Sequence, residues 1–173
     1  LKPIAAAFGL NEAERKTSAA PYVDLEKVRL QGYLPLLSGN TRRQVTRSRR
    51  LFEEDFGQIT LRTVTTEPEI RADIAALADL QTARFQGTAA PSSVGAPFFA
   101  RFVGALLLSE PAKKTGAELL RIEAGGTLLG LLVNFCHRGT VSNYQCAFAA
   151  FPGDNQLKPG LVSHTLAIEH HAN

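Results

Sequence analysis

The chain is poor in residue types that mark several classes of protein. Its 173 residues include two cysteines, no tryptophan and no methionine. The cysteines, Cys136 and Cys146, fall in neighbouring predicted strands without the ligand spacing of a metal site. We therefore predict that both are small buried hydrophobic residues and that no metal is bound. No apolar run reaches the ~20 residues of a membrane-spanning helix, which argues against membrane insertion.

The sequence also lacks a large excess of charge of either sign. Lys and Arg number 19 against 16 Asp and Glu, a formal net charge of +3. So small an excess does not by itself favour a nucleic-acid partner. With 45% hydrophobic and 20% charged residues, the composition is typical of a globular domain. No secretion signal opens the sequence, so a cytoplasmic protein is expected, and the oligomeric state stays open.

Methionine is missing even from the first position, which is Leu1. We therefore expect the sequence to be an internal piece of a longer protein. Residues 1–32 mix polar and apolar residues with prolines and glycines, which predicts a connecting arm. Residues 33–173 are long enough for one domain with a core of its own.

The most informative stretch runs over 141–168. It predicts a strand, a loop, and then Pro159-Gly160 at the start of an apolar helix. Proline suits the first helical position because its missing N–H would be unpaired there anyway. The unpaired N–H groups of such a helix, with the positive end of its dipole, form a site for phosphate or pyrophosphate. The plainer alternative is that Pro-Gly only turns the chain.

Three strands precede that helix. Residues 117–123 and 127–136 flank a Gly-Gly turn, and 140–148 follow a second turn. The middle strand is almost continuously apolar and is expected at the centre of the sheet. Residues of the third strand alternate, which predicts that Tyr144 and Gln145 lie on opposite faces. One face would carry Val141, Asn143, Gln145 and Ala147, and the other Ser142, Tyr144, Cys146 and Phe148.

In the first half of the domain, the residue pattern over 40–56 predicts a basic helix. Arg43, Arg47 and Arg50 lie on one of its faces, either solvated or in contact with an anion. The acidic run 53–55 follows at once and cancels part of the positive field.

A strand over 58–65 comes next, and a capping box at Thr66 begins a helix that ends at Phe85. A loop over 87–97, rich in Gly, Pro and Ser, leads to a second helix over 98–107. From residue 58 the predicted order is therefore β-α-α-β-β-β-α.

Three strands followed by a helix with a phosphate-type start form the central unit of the GNAT acyltransferase fold. From about Tyr33 onward the sequence resembles the CelD/BcsL branch of the GNAT N-acyltransferases. That branch is associated with cellulose and other exopolysaccharide synthesis and is related to FemAB-like transferases. The block most similar to it is LKPGLVSHTLAIEH at 157–170. Further similarity lies in the arginine-rich helix 42–57, Arg84-Phe85, Pro97-Phe98-Phe99, the Gly-Gly hairpin and Tyr144-Gln145.

The resemblance implies an α/β GNAT-like fold with a mainly antiparallel sheet flanked by helices. The family continues past the position of Asn173, so the C-terminal half of the fold is expected to be missing from this chain. Acetyl-CoA or another acyl-CoA would be the co-substrate. An amine or hydroxyl of a small molecule or a saccharide would be the acceptor.

The resemblance also implies a set of site residues. Backbone N–H groups in the last part of the third strand would polarise the thioester carbonyl. The helix start would hold the pyrophosphate, with Lys158 adding a charge. The cofactor-binding candidates are Cys146, Ala147, Phe148, Lys158, Gly160, Leu161 and Val162, and the catalytic candidates are Tyr144, Gln145 and His164.

Two other functions stay open. The usual GNAT pattern has two glycines at the helix start, whereas only Gly160 stands here. One alternative is a FemAB-like aminoacyl transferase with a tRNA-linked donor, which the arginine helix would suit. The other is an inactive GNAT fold that serves as an interaction module, which the missing glycine and the few candidate bases would suit.

Overall fold

Four antiparallel strands form one sheet with helices on both faces, in a computed structural model that describes residues 20–86, 97–109 and 116–173. The strands lie in the order β1-β2-β3-β4. They are β1 Ile59–Thr63, β2 Ala117–Ala124, β3 Thr127–His137 and β4 Thr140–Phe148. The α-helices are α1 Leu25–Gln31, α2 Gly39–Phe56, α3 Glu67–Phe85, α4 Pro97–Leu108 and α5 Pro159–Ala172, with a 3-10 turn at Leu34–Leu36.

From β1 to α5 the elements follow the order β-α-α-β-β-β-α, so the predicted fold class is confirmed. Most of the predicted loop, residues 87–96, lies outside the described residues, as do residues 1–19 of the predicted arm. Residues 25–31, assigned to the same arm, form helix α1, whose buried Val28 lies on its inner side. Arg29 Nε donates to the carbonyl oxygen of Ala172 at 2.7 Å, which ties α1 to the end of α5.

Strand β3 lies inside the sheet, and both of its faces are covered. Leu131 and Leu132 are adjacent and almost fully buried, yet they belong to different core clusters. The cluster around Leu131 includes side chains from α3 and α4. The cluster around Leu132 includes side chains from α2 and α5. A nearly continuous apolar strand is what such a position requires.

The hairpin between β2 and β3 turns at Gly125-Gly126, as predicted. Both glycines have positive φ, 53° and 86°, the values that a two-residue hairpin turn of this type requires. A Cβ on Gly125 would lie 1.7 Å from the carbonyl oxygen of Phe56. Glycine is therefore required there by the close approach of helix α2 as well as by the turn.

Strand β4 contains a β-bulge that the sequence pattern did not predict. Val133 pairs with Gln145, whereas the next residue, Asn134, pairs with Asn143, so Tyr144 is an extra residue without a partner. The predicted simple alternation along β4 is therefore wrong, because one inserted residue reverses the faces of all residues beyond it.

The contacts of individual side chains show the reversal. Tyr144 stacks on Phe99 of α4, with ring centroids 6.3 Å apart. Gln145 is paired with Val133, which belongs to the same α3/α4 cluster, so Tyr144 and Gln145 share a face instead of lying on opposite ones. Asn143 lies on the other face, where its Nδ2 donates to Asn134 Oδ1 at 2.9 Å.

Candidate functional site

The loop before α5 is held in place by two hydrogen-bond acceptors. Asp154 Oδ1 accepts from the backbone N–H of Gln156 at 2.7 Å, which closes a local turn. Ser48 of α2 is fully buried, and its Oγ accepts from the backbone N–H of Lys158 at 2.8 Å. Helix α2 therefore fixes the position at which α5 begins.

Helix α5 begins at Pro159, as predicted. Lys158 is its N-cap residue, and no side chain caps the helix by hydrogen bonding. The N–H of Val162 donates to the carbonyl oxygen of Lys158 at 3.1 Å, and the Val162 side chain is buried in the core. The helix-start residues predicted to hold the pyrophosphate are Gly160, Leu161 and Val162. Proline has no N–H and the Val162 N–H is bonded within the helix, so Gly160 and Leu161 are the two whose N–H groups precede the first intrahelical bond. The helix start can therefore present two donors to an anion, one fewer than predicted.

Gly160 packs against the ring of Phe148, the last residue of β4. A Cβ on Gly160 would lie 3.2 Å from that ring, closer than ordinary van der Waals contact. On the other side of the ring, a Cβ on Gly130 would lie 2.7 Å from Phe148 and from Ser163 Oγ. Two glycines thus let one aromatic ring fit between the sheet and α5. This packing gives Gly160 a steric role in addition to the predicted phosphate contact.

His164 lies one turn beyond Gly160 on α5. Its ring meets the Phe148 ring edge to face, with centroids 5.4 Å apart. Burial lowers the pKa of His164 below its ordinary value of 6.5 because the charged imidazolium is poorly solvated there. A neutral imidazole at neutral pH can accept a proton, so its protonation state suits the predicted role of base.

The outer edge of β4 is open within the described residues, because β4 is the last strand of the sheet. The N–H of Ala149 donates to the carbonyl oxygen of Leu129 at 3.0 Å. Hydrogen-bonded and non-bonded pairs alternate in an antiparallel ladder. The N–H of Ala147 is therefore turned toward β3, and the N–H groups of Cys146 and Phe148 are turned toward the open edge.

One backbone group on this edge already has a partner. The side-chain amide of Gln81, a buried residue of α3, donates to the carbonyl oxygen of Cys146. This bond agrees with the outward direction of the Cys146 backbone. Arg84 is exposed one turn further along α3. The Cys146 side chain faces the α2/α5 core cluster, where burial raises the pKa of its thiol, with Arg84 opposing the shift.

The structure brings together only part of the predicted site. Phe148 contacts both Gly160 and His164 where β4 ends and α5 begins. Tyr144 lies on the α4 side of the sheet, against Phe99 and Phe135. It is therefore not brought next to His164.

Two residues with positional roles were not identified from the sequence. Gln81 occurs in an ordinary helical pattern, and nothing in that pattern indicates that it reaches a strand edge. Ser48 falls on the buried side of the arginine helix, between Val45 and Phe52, where a polar residue in an apolar stripe was the available signal.

The arginine face of α2 is mostly solvated. Arg43 and Arg47 are exposed, and Arg50 forms an ion pair with Glu54 at 2.6 Å. Arg49, beside that face, pairs with Glu169 of α5 at 2.6 Å and is partly buried. The arginine nearest to α5 is therefore engaged in holding two helices together.

The fold and the open junction between β4 and α5 define a transferase domain of the GNAT class. A family model described as an acetyltransferase (GNAT) domain matches residues 39–173. The chain therefore belongs to the GNAT acetyltransferase family. No curated protein matches it. Among the described helices, none is long and apolar enough to cross a membrane.

Proposed function

We propose that this domain transfers an acyl group from acyl-CoA to an amine or hydroxyl acceptor at the junction of β4 and α5. The observation that carries the proposal is the packing of Phe148 against Gly160. It places the outward N–H groups at the end of β4 beside the first N–H groups of α5. A thioester with a pyrophosphate at its distal end needs donors at both places.

The chemistry is a direct transfer. The acceptor nitrogen or oxygen attacks the thioester carbonyl carbon, the carbon–sulfur bond breaks, and CoA leaves as its thiol after taking a proton. The outward N–H of Phe148 is the proposed donor to the carbonyl oxygen, where negative charge develops in the transition state. We propose His164 as the group that accepts the proton of the acceptor, because it contacts Phe148 and is neutral at neutral pH.

The acceptor is proposed from the family resemblance and from an exposed aromatic surface. The resemblance to the CelD/BcsL branch supports a saccharide or related small molecule of exopolysaccharide or cell-envelope metabolism, modified in the cytoplasm. The exposed rings of Phe98 and Phe102 stack on α4, with centroids 5.7 Å apart. Stacked aromatic rings are a common surface for the apolar faces of sugars, which suits such an acceptor.

The donor site is tested with two variants at one position. Gly160→Asp places a carboxylate beside the proposed pyrophosphate, whereas Gly160→Ala adds only the Cβ that contacts Phe148. Repulsion between the charges costs about 1 kcal/mol or more at a partly buried site. We expect Asp to weaken acetyl-CoA binding about tenfold or more, corresponding to about 1.4 kcal/mol. Ala is expected to bind nearly as wild type in calorimetric titration.

Three results would count against the proposal. Equal acetyl-CoA affinity in all three proteins would move the donor site elsewhere. Equal loss in Ala and Asp would assign Gly160 a packing role only. Wild-type protein that fails to bind acetyl-CoA, while circular dichroism shows that it is folded, would favour an inactive interaction module.

A further inference from the structure

Three side chains capable of binding a metal meet at the opposite end of α5. They are Glu118 of β2, Cys136 of β3 and His171 of α5, and their ligand atoms all lie within 4.8 Å of one another. Each is partly buried. The residues are separated by 18 and 35 positions in the chain, so only the pairing of β2 with β3 and the packing of α5 bring them together.

The contacts within this cluster leave one buried nitrogen without a hydrogen bond. His171 Nε2 lies 2.7 Å from Glu118 Oε1, a distance that suits an ion pair when the imidazole is protonated. The same Glu118 oxygen already accepts from Asn134 Nδ2 at 2.8 Å. Asn134 in turn accepts from Asn143. Such a chain of amides orients a carboxylate in the way that second-shell groups orient metal ligands.

We propose that Glu118, Cys136 and His171 form a binding site for a zinc-class divalent cation. Carboxylate oxygen, thiolate sulfur and imidazole nitrogen are the three ligand types of protein zinc sites. A mixed set of this kind disfavours magnesium and calcium, which take oxygen ligands. With Glu118 and Cys136 ionised and His171 neutral, the ligands neutralise both charges of the cation.

A cleft beside the cluster gives a cation access from solvent. It has a volume of about 630 Å³, and Cys136 and His171 line it together with Arg29 and Arg138. A water molecule or a small anion can reach the cation from this side. Three protein ligands with one open position is an arrangement that zinc sites commonly adopt.

Only small side-chain movements are needed to form the site. Zinc bonds of about 2.0–2.3 Å in a tetrahedral site place the ligand atoms about 3.5 Å apart. The 2.7 Å contact between Glu118 and His171 must open slightly, and the remaining distances, at most 4.8 Å, must close. The backbone N–H of Cys136 donates to the carbonyl oxygen of Gly116 at 2.5 Å, which holds the strand beneath the site.

The position of this site indicates a structural role. His171 follows Pro159 by 12 residues, so the cation would lie about 18 Å from the start of α5 at 1.5 Å per helical residue. It would join the last turn of α5 to β2 and β3. A cation bound by the Cys136 sulfur as thiolate displaces the thiol proton to solvent.

The test is a titration of untagged, metal-free protein with Co²⁺ and then Zn²⁺. Thiolate bonded to Co²⁺ has a charge-transfer absorption that amines and carboxylates lack. We expect one equivalent of Co²⁺ to produce this band and Zn²⁺ to abolish it. Cys136→Ser should remove the band. His171→Gln should weaken Co²⁺ binding tenfold or more, because loss of a group that only orients a metal ligand already costs about 10–100-fold and His171 is a ligand itself.

The chain offers a matched control for each variant. Cys146 is the other free cysteine, and His170 is the exposed neighbour of His171. Cys146→Ser and His170→Gln should bind as wild type. The proposal is overturned if wild type shows no thiolate band, or if the control variants lose as much affinity as the site variants. It is also overturned if Glu118→Gln, with unchanged circular dichroism, binds Co²⁺ as tightly as wild type.

Discussion

The two ends of helix α5 are built in different ways. At its first turn the candidate donor site consists mainly of backbone N–H groups, next to an aromatic ring that packs on Gly160. At its last turn, the side chains of Glu118 from β2 and Cys136 from β3 converge on His171. A backbone site depends on local chain geometry and tolerates many side chains. A side-chain site depends on tertiary packing and is lost when one residue changes.

The largest expected loss of stability comes from Gly116→Ala, just before β2 and beside Cys136, near the last turn of α5. Gly116 has φ 100°, and a Cβ there would lie 2.2 Å from the backbone oxygen of Cys136. Overpacking costs about 1–3 kcal/mol, and the unfavourable φ adds about 1 kcal/mol or more. We expect denaturant unfolding to show a loss of at least about 2 kcal/mol in total.

Gly126→Ala is the control for that variant. Gly126 also has positive φ, 86°, but a Cβ there would meet nothing within 4 Å. Its loss should be limited to the conformational cost. Equal losses in the two variants would show that close packing against Cys136 adds nothing to the cost at Gly116.

A smaller effect is expected at the first turn from Ser48→Ala. The variant removes the acceptor for the Lys158 N–H without changing the core volume much. An unsatisfied buried donor costs about 1–3 kcal/mol. We expect a stability loss in this range together with weaker acetyl-CoA binding, both measured by calorimetry. A loss of stability with unchanged acetyl-CoA affinity would show that Ser48 stabilises the fold but does not position the donor site.

His164→Gln separates folding from catalysis by their pH dependence. The pKa of His164 is lowered by burial from 6.5, so the unfolded chain binds a proton more readily than the folded one. Its contribution to stability is therefore complete above about pH 6.5 and is lost as the pH falls toward the folded pKa. The variant should lose this dependence in acid unfolding experiments.

The same variant has a second readout. If His164 accepts the acceptor's proton, activity should fall about 100-fold or more, and the acid limb of the kcat/KM profile should disappear. Retained activity with a flattened stability profile would leave His164 as a packing residue beside Phe148. Tyr144→Phe, on the opposite face, is the comparison that should leave the acid limb unchanged.

The smallest effect is expected from replacing Arg43, Arg47 and Arg50 together with Gln. Arg43 and Arg47 are exposed, and Arg50 has its own partner in Glu54. Exposed pairs of this kind contribute about 0–1 kcal/mol, so stability and acetyl-CoA affinity should hardly change. A tenfold loss of tRNA affinity at physiological salt would instead favour a tRNA-linked donor.

The sequence predicted those features that depend on local pattern. The apolar run of β3, the turn at Gly125-Gly126 and the helix beginning at Pro159 were all correct. Each follows from the periodicity of side chains or from a backbone preference of glycine or proline. The order of elements then fixed the fold class.

Features that depend on register could not be predicted. Nothing in the alternation of β4 marks Tyr144 as the inserted residue, because its neighbours alternate on both sides of it. Glu118, Cys136 and His171 come together only because β2 pairs with β3 in one register and α5 crosses them. Such contacts depend on residues far apart in sequence, where spacing provides no signal.

Amide hydrogen exchange tests the difference between the two ends of α5 most directly. It is measured with and without saturating acetyl-CoA, and separately with and without Zn²⁺. We expect acetyl-CoA to protect Gly160, Leu161 and Phe148 and to leave the strands around Glu118 and Cys136 unchanged. Zn²⁺ should protect the latter and the last turn of α5. Protection by acetyl-CoA confined to residues outside the β4–α5 junction would contradict the central claim.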